Sequence, residues 1–179
     1  MNNQVLYRWM EPGEVGRIAE IDRIEIIRTG YYYRDGELKK LDVNWDTPGF
    51  LIDQDGLHSV AAQIEFCRNH LDQGGRMYGA YYGQRLIGIG VIRYEVRPNI
   101  AQLAYLQVSN GFRRQGIGSR ITHELIREAE RFGAKKMYVS ATPSGSAVGF
   151  YLKHGFRPID QPIPELYELE PDDIHMIRD

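Results

Sequence analysis

Between Val108 and Ile121 the chain reads Ser109-Asn110-Gly111-Phe112-Arg113-Arg114-Gln115-Gly116-Ile117-Gly118-Ser119-Arg120. Glycine lets a backbone turn sharply and approach a ligand with no Cβ in the way. A helix that starts here presents unpaired N–H groups and the positive end of its dipole, which suits a diphosphate. Arg113, Arg114 and Arg120 add formal charge for phosphate oxygens. The chemistry on offer is anion binding by backbone, with side chains assisting.

Two nucleotide motifs are excluded. A dinucleotide fingerprint needs G-x-G-x-x-G, and Gly116-Ile117-Gly118-Ser119-Arg120-Ile121 ends on isoleucine. A P-loop needs a Gly-Lys-Ser/Thr triplet, which the chain lacks. Other chemistries are poorly supplied. His58, His70, His123, His154 and His175 form no HExxH pattern, and Cys67 is the only cysteine, so no metal is expected. His123 and His154 read as helix-surface residues, and Cys67 as a small buried hydrophobe. No serine sits in a Gly-x-Ser-x-Gly elbow.

The charge distribution is uneven. From Ala101 to Arg157 nine bases face three acids, whereas from Ile159 to Asp179 seven acids face Arg178 alone. A basic block before an acidic tail points to an anionic ligand in the block, although Arg127 and Arg131 also fit a solvated helix face. The net charge of −2 gives no bulk attraction to nucleic acid. No apolar run reaches membrane-spanning length. The start, Met1-Asn2-Asn3-Gln4, has no signal-peptide pattern, so a cytoplasmic location is the expectation. At 179 residues, a single domain is expected.

The elements that must position the turn follow from periodicity. Val5 to Trp9 reads as a strand. A helix is expected from Glu14, with Val15, Ile18, Ala19, Ile21 and Ile26 near helical spacing. Gly30 and Tyr31-Tyr32-Tyr33 open what reads as a long polar connection through Asp35-Gly36 to Pro48-Gly49. A second helix is expected over Leu57–Leu71. Met77–Tyr82 and Leu86–Glu95 form a hairpin signal, and Ala101–Val108 is a further strand. Ile117, Ile121, Leu125, Ala129 and Phe132 share the face of an amphipathic helix that Gly133 stops. Lys136–Ala141 is a strand, Thr142-Pro143 starts a helix that ends at Gly155, and two last strands are expected near Phe156–Pro158 and Leu166–Leu169. The pattern is α/β, a mixed sheet flanked by helices.

At Arg113, Gly116 and Gly118 the chain resembles the GCN5-related N-acetyltransferase (GNAT) superfamily, whose signature is Q/R-x-x-G-x-G/A. The family's second segment, N-x-x-A-x-x-x-Y-x-K-x-G-F, is met in register by Ala147, Tyr151, Lys153, Gly155 and Phe156, with Ser144 where asparagine is usual. The resemblance is strong over Ala101–Phe156, while the N-terminal half matches only in element order. It implies a central, mostly antiparallel sheet with splayed fourth and fifth strands, and acetyl-CoA as acyl donor without a metal. The cofactor would lie along Leu106, Gln107 and Val108, with its diphosphate at Arg113, Arg114, Gln115, Gly116, Ile117, Gly118 and Ser119, and with Ser144, Ala147 and Tyr151 beside it.

The resemblance further implies direct attack by a neutral amine in a ternary complex. Backbone N–H groups near Val108 would stabilise the oxyanion. Tyr151, at the family's tyrosine position, would protonate the departing thiolate, its alternative role being packing under the cofactor. Glu95 is the first choice of base, or else a surface residue at a strand end, and Tyr105 is a candidate to hold a water. Tyr31, Tyr32, Tyr33 and Trp45 lie where the superfamily commonly borders its acceptor pocket. With Asp35, Glu37, Asp42 and Asp46 they suit a small cationic amine, or form a loop packed on itself. The leading expectation is acetylation of a small-molecule amine. A protein amino group as acceptor and a silent acyl-CoA-binding module are the alternatives, and a homodimer is one expected assembly.

Overall fold

The computed structural model describes residues 4–50, 56 and 59–179. Leu6–Met10 (β1) leads into a 3₁₀ helix, Pro12–Glu20, and then into two long strands, Glu25–Arg34 (β2) and Glu37–Thr47 (β3). Helix α1 (Val60–Asp72) precedes strands β4 (Arg76–Tyr82), β5 (Arg85–Arg97) and β6 (Ile100–Val108). Helix α2 (Ile117–Arg131), strand β7 (Lys136–Ala141) and helix α3 (Gly145–Lys153) follow. The chain closes with β8 (Arg157–Pro158), α4 (Pro164–Leu169) and β9 (Ile174–Arg178). Among the described residues no helix is long and apolar enough to cross a membrane.

Seven strands form one sheet in the order β1-β4-β5-β6-β7-β9-β8, and β2-β3 stands apart as a hairpin. Every pairing in the large sheet is antiparallel except β6 with β7. That parallel contact is short, running only from Ile100↔Lys136 to Gln102↔Tyr138. Beyond Gln102 the fourth and fifth strands of the sheet part, as expected.

Each face of the sheet has its own core. On one face Ile117, Ile121, Leu125 and Ala129 of α2 and Val148 and Tyr151 of α3 pack over Ile87, Leu103 and Val139. The helix sits close because β5 carries Gly90 beneath it: a Cβ there would stand 2.5 Å from Ile121 Cγ2 and 2.8 Å from Leu125 Cδ1. On the other face Val15 and Ile18 of the 3₁₀ helix and the fully buried Cys67 of α1 cover Met77, Leu86, Ile89 and Val91. Burial pushes the Cys67 thiol up to about 12, consistent with a packed, unreactive side chain.

Three expectations are corrected. The helix expected from Glu14 is a 3₁₀ segment, because Gly13 and Gly16 weaken it and only Val15 and Ile18 need burial. Ile26, counted on that face, belongs to β2 and is 65% exposed. The connection after Gly30 is the β2–β3 hairpin. Its two-residue turn, Asp35-Gly36, takes φ +53° and +77°, the left-handed pair that such a turn requires. Leu166–Leu169 lies in α4 rather than a strand, since Pro164 at the helix start fixes helical φ and leaves no ladder donor there. The closing strand is β9 instead. The start expected for the second helix, Leu57, lies outside the described residues.

Candidate functional site

The turn between β6 and α2 is built as an anion site needs to be. Gly116 caps α2 in the left-handed region, φ +81°, with no side-chain cap. The first backbone bond of the helix is from Arg120 N–H to the Gly116 carbonyl, 3.0 Å. The N–H groups of Ile117, Gly118 and Ser119 therefore point past the helix end, where a capping side chain would otherwise accept them. Arg114, two residues before Gly116, is also left-handed, φ +60°. Ile117 contributes only backbone, its side chain being 2% exposed in the core. Gln115 braces the turn through Nε2 to the Gly111 carbonyl, 2.9 Å.

The arginines divide their work. Arg113 donates to the carbonyls of Val108 (2.9 Å), Ile24 (3.1 Å) and Arg23 (3.0 Å), and pairs with Glu25 at 3.4 Å. It therefore ties the end of β6 to the start of β2 rather than reaching for a phosphate, whereas Arg114, expected at the same diphosphate, is exposed beside the helix start. Arg120 lies over the Tyr7 ring, 4.1 Å from its centroid.

From this turn an open strand edge leads into the sheet. Ser109 N–H donates to the Ile87 carbonyl at 2.8 Å, and Val108 lies opposite Gly88. By the alternation of an antiparallel ladder, Gln107 also faces β5, while the backbone groups of Leu106 and Val108 face the gap left by β7. The Val108 carbonyl there accepts from Arg113 Nε. The Val108 N–H and both backbone groups of Leu106 line the gap. Leu106 and Val108 thus lie on the open edge, and Gln107 turns its backbone to β5.

Helix α3 closes the gap from above. Ser144 is its N-cap, 3% exposed, accepting from Ala147 N–H at 3.2 Å and sharing a hydrogen bond with Ser146 Oγ at 3.0 Å. This serine is a helix cap, and its hydroxyl is committed within α3 rather than turned to a ligand. Tyr151, about two turns further along the helix, is 6% exposed, and no group among the described residues hydrogen-bonds its hydroxyl. Burial, and then the carboxylates of Asp173 and Glu170, raise its pKa well above that of a free phenol, so the hydroxyl stays protonated.

Glu95 is not near this site. It sits exposed at φ +46°, in the irregular stretch of β5 between Arg93 and Arg97, close to the β5–β6 turn. Gly88, which faces Val108, is seven residues away along β5, roughly 20 Å at the rise of a strand. Glu95 cannot reach an amine beside Leu106. The Tyr105 hydroxyl lies on the α1 face, where burial and Cys67 raise its pKa.

The tyrosine run borders a cleft of about 420 Å³ between the hairpin tip and the segment from Asp160 to His175. Gly30 bridges to Ser144, and Tyr31 N–H donates to the Pro143 carbonyl at 2.9 Å, so the hairpin is pinned to the start of α3. Tyr33 Oη donates to Asp160 at 2.8 Å across 127 residues of sequence. Tyr31, Tyr32 and Tyr33 all line the cleft, whereas Trp45 lies at the base of the hairpin opposite Ile27 and does not. Asp172 and Asp173 also line it, and sequence reasoning passed them over as part of an acidic tail.

A model of the Acetyltransferase (GNAT) family matches residues 41–156. The chain belongs to the GNAT acetyltransferase family. Solved structures agree in fold: nourseothricin acetyltransferase superposes with a TM-score of 0.72 at 18% identity, covering 97% of each chain. A putative streptothricin acetyltransferase from Bacillus anthracis str. Ames, in complex with acetyl coenzyme A, gives 0.69 at 17% identity over 97% of this chain and 96% of that one. PaiA N-acetyltransferase from Thermoplasma acidophilum, in complex with coenzyme A, gives 0.62 at 14% identity over 98% and 99%. Among curated proteins none matches the chain significantly. Within the GNAT frame, β6 and β7 are the splayed pair, and α2 carries the signature turn.

Proposed function

We propose that this GNAT acetyltransferase transfers an acetyl group from acetyl-CoA to a primary amine of a small molecule, by direct attack in a ternary complex. The observation that carries the reading is the uncapped start of α2 at the end of the free edge of Leu106 and Val108, with Tyr151 of α3, its hydroxyl unbonded, in the same packed cluster. The residues fit coenzyme A. Three helix N–H groups and Arg114 suit its diphosphate, and an unpaired strand edge suits the amide-bearing pantetheine arm. When bound, acetyl-CoA supplies an activated thioester.

The chain's own residues supply the rest. The Val108 N–H donates toward the carbonyl oxygen as negative charge develops on it. Tyr151 holds a proton beside the place of the sulfur, and its raised pKa keeps that proton available at neutral pH. The neighbours named for nourseothricin and streptothricin support a small-molecule acceptor, as does a cleft of about 420 Å³, a size that suits one. A panel of small amines, streptothricin included, incubated with acetyl-CoA and followed by thiol release and mass spectrometry tests the proposal. Binding of acetyl-CoA with no transfer to any amine would refute it, and transfer only to peptides would redirect it.

A further inference from the structure

The reaction needs a group to take a proton from an amine that is cationic at neutral pH, and Glu95 is out of reach. We propose that Asp173 is that group, and that the acceptor enters as a cation through the cleft between the hairpin tip and the turn from Glu170 to Asp173. The proposal rests on the acetyltransferase reading.

Position is the first argument. Asp173 directly precedes β9, whose Ile174 pairs with Ala141, the last residue of β7. It therefore stands at the end of the sheet where β6 and β7 have parted, below the start of α3. Half-buried, it lines the cleft together with Asp172, Asp160 and the tyrosines of β2. The Tyr151 hydroxyl provides the second, independent observation. The tyrosine as a whole is 6% exposed, its hydroxyl has no hydrogen-bond partner among the described residues, and the charges of Asp173 and Glu170 both act on it. A protonated tyrosine and a carboxylate whose charge acts on it would give a donor and an acceptor for the two protons the reaction must move.

The surroundings tune the carboxylate for this task. Burial, and then the charges of Glu170 and Asp172, push Asp173 up to about 7. Glu170 is raised by its own burial, against a hydrogen bond from Ser140 of β7. Among the described residues, the ionisable groups about the turn are Tyr151 from α3, Tyr138 from β7, His175 from β9, Tyr167 from α4, Asp160 and Asp172 from its own segment, and Tyr31, Tyr32, Tyr33, Arg34 and Asp35 from the hairpin. His175 is held neutral by burial, so it does not compensate the acids. A carboxylate in this state accepts a proton from an ammonium far more readily than an exposed aspartate does.

The steps balance. The ammonium gives one proton to the Asp173 carboxylate, which returns it to solvent. The free amine forms the C–N bond to the acetyl carbon as the C–S bond breaks. The departing thiolate takes the Tyr151 proton, and the second nitrogen proton restores Tyr151. One proton is released per transfer.

The test compares the parent with Asp173→Asn and Glu170→Gln, using acetyl-CoA with streptothricin and spermidine as acceptors across a range of pH. The expected result for Asp173→Asn is a fall in kcat of about 10²-fold near neutral pH, with unchanged coenzyme A affinity and a rate that keeps climbing where the parent levels off. Glu170→Gln should move the acidic limb of the parent profile to lower pH, and it supplies the answer if Asp173→Asn does not fold. A profile that overlays the parent in both variants overturns the assignment. If the parent acetylates no amine, the acetyltransferase reading has failed. Calorimetry of spermidine with the coenzyme A-loaded protein then decides for the cleft. Heat abolished in Asp173→Asn keeps it as a cation site, and unchanged heat removes it.

Discussion

Gly116→Ala isolates the backbone half of the anion site. Gly116 stands at φ +81°, and a Cβ built there meets nothing within 4 Å. The substitution therefore adds no clash, only the cost of holding an L-residue in the left-handed region, about 1–2 kcal/mol. The free protein escapes this cost by letting the turn relax, since no side-chain cap holds it. Coenzyme A must then restore the conformation, and its dissociation constant should rise about 5- to 30-fold, tenfold being 1.4 kcal/mol. Gly133 offers a control: φ is +88° and its Cβ position is equally open, but it lies past the far end of α2. Gly133→Ala should lower Tm and leave coenzyme A affinity unchanged. Titration calorimetry with coenzyme A on both variants reads the difference. Equal affinity in Gly116→Ala and the parent, or an equal loss in both variants, would refute the claim that the uncapped turn holds the diphosphate.

Tyr151→Phe should lower kcat by about 10²-fold or more while coenzyme A affinity holds, because only the hydroxyl is lost from a packed ring; an unchanged kcat removes Tyr151 as the acid. Arg113→Ala should destabilise the fold by about 1.5–3 kcal/mol, read in urea, since its carbonyl bonds join β6 to β2. Arg114→Ala should instead weaken coenzyme A binding severalfold without changing stability, with the difference fading in high salt. Gly90→Ala should cost about 1–3 kcal/mol, because its Cβ overlaps Ile121 and Leu125; a Tm equal to the parent's would mean that α2 does not sit as close as described.

The cofactor half of the site was legible because it is local. The turn, the uncapped helix start and the α3 segment each lie within a dozen residues, and their function rests on backbone geometry that Gly116 and Ser144 set for themselves. Even there, only the structure distinguishes Arg113, spent on three carbonyls, from Arg114, free to meet a phosphate. The identity of the two is the same on paper. The hairpin carried its own signal in Asp35-Gly36, overlooked because the run between Gly30 and Gly49 is so polar: most of its side chains are exposed on both faces, so it lacks the alternation that marks a strand packed on a core.

The acceptor half was not legible, and the reason is physical. A proton acceptor is defined by what surrounds it, and Asp173 reads in sequence as one acid in a tail of seven. Its place at the end of β7 depends on β9 pairing with β7, and the wall opposite depends on Tyr33 reaching Asp160. By itself the sequence determined a sheet, a glycine turn into an uncapped helix and the family's tyrosine position after it, because short-range spacing dictates backbone form. Only the tertiary structure decided which carboxylates stand at the parted strands, because burial and neighbouring charge arise from segments far apart in the chain.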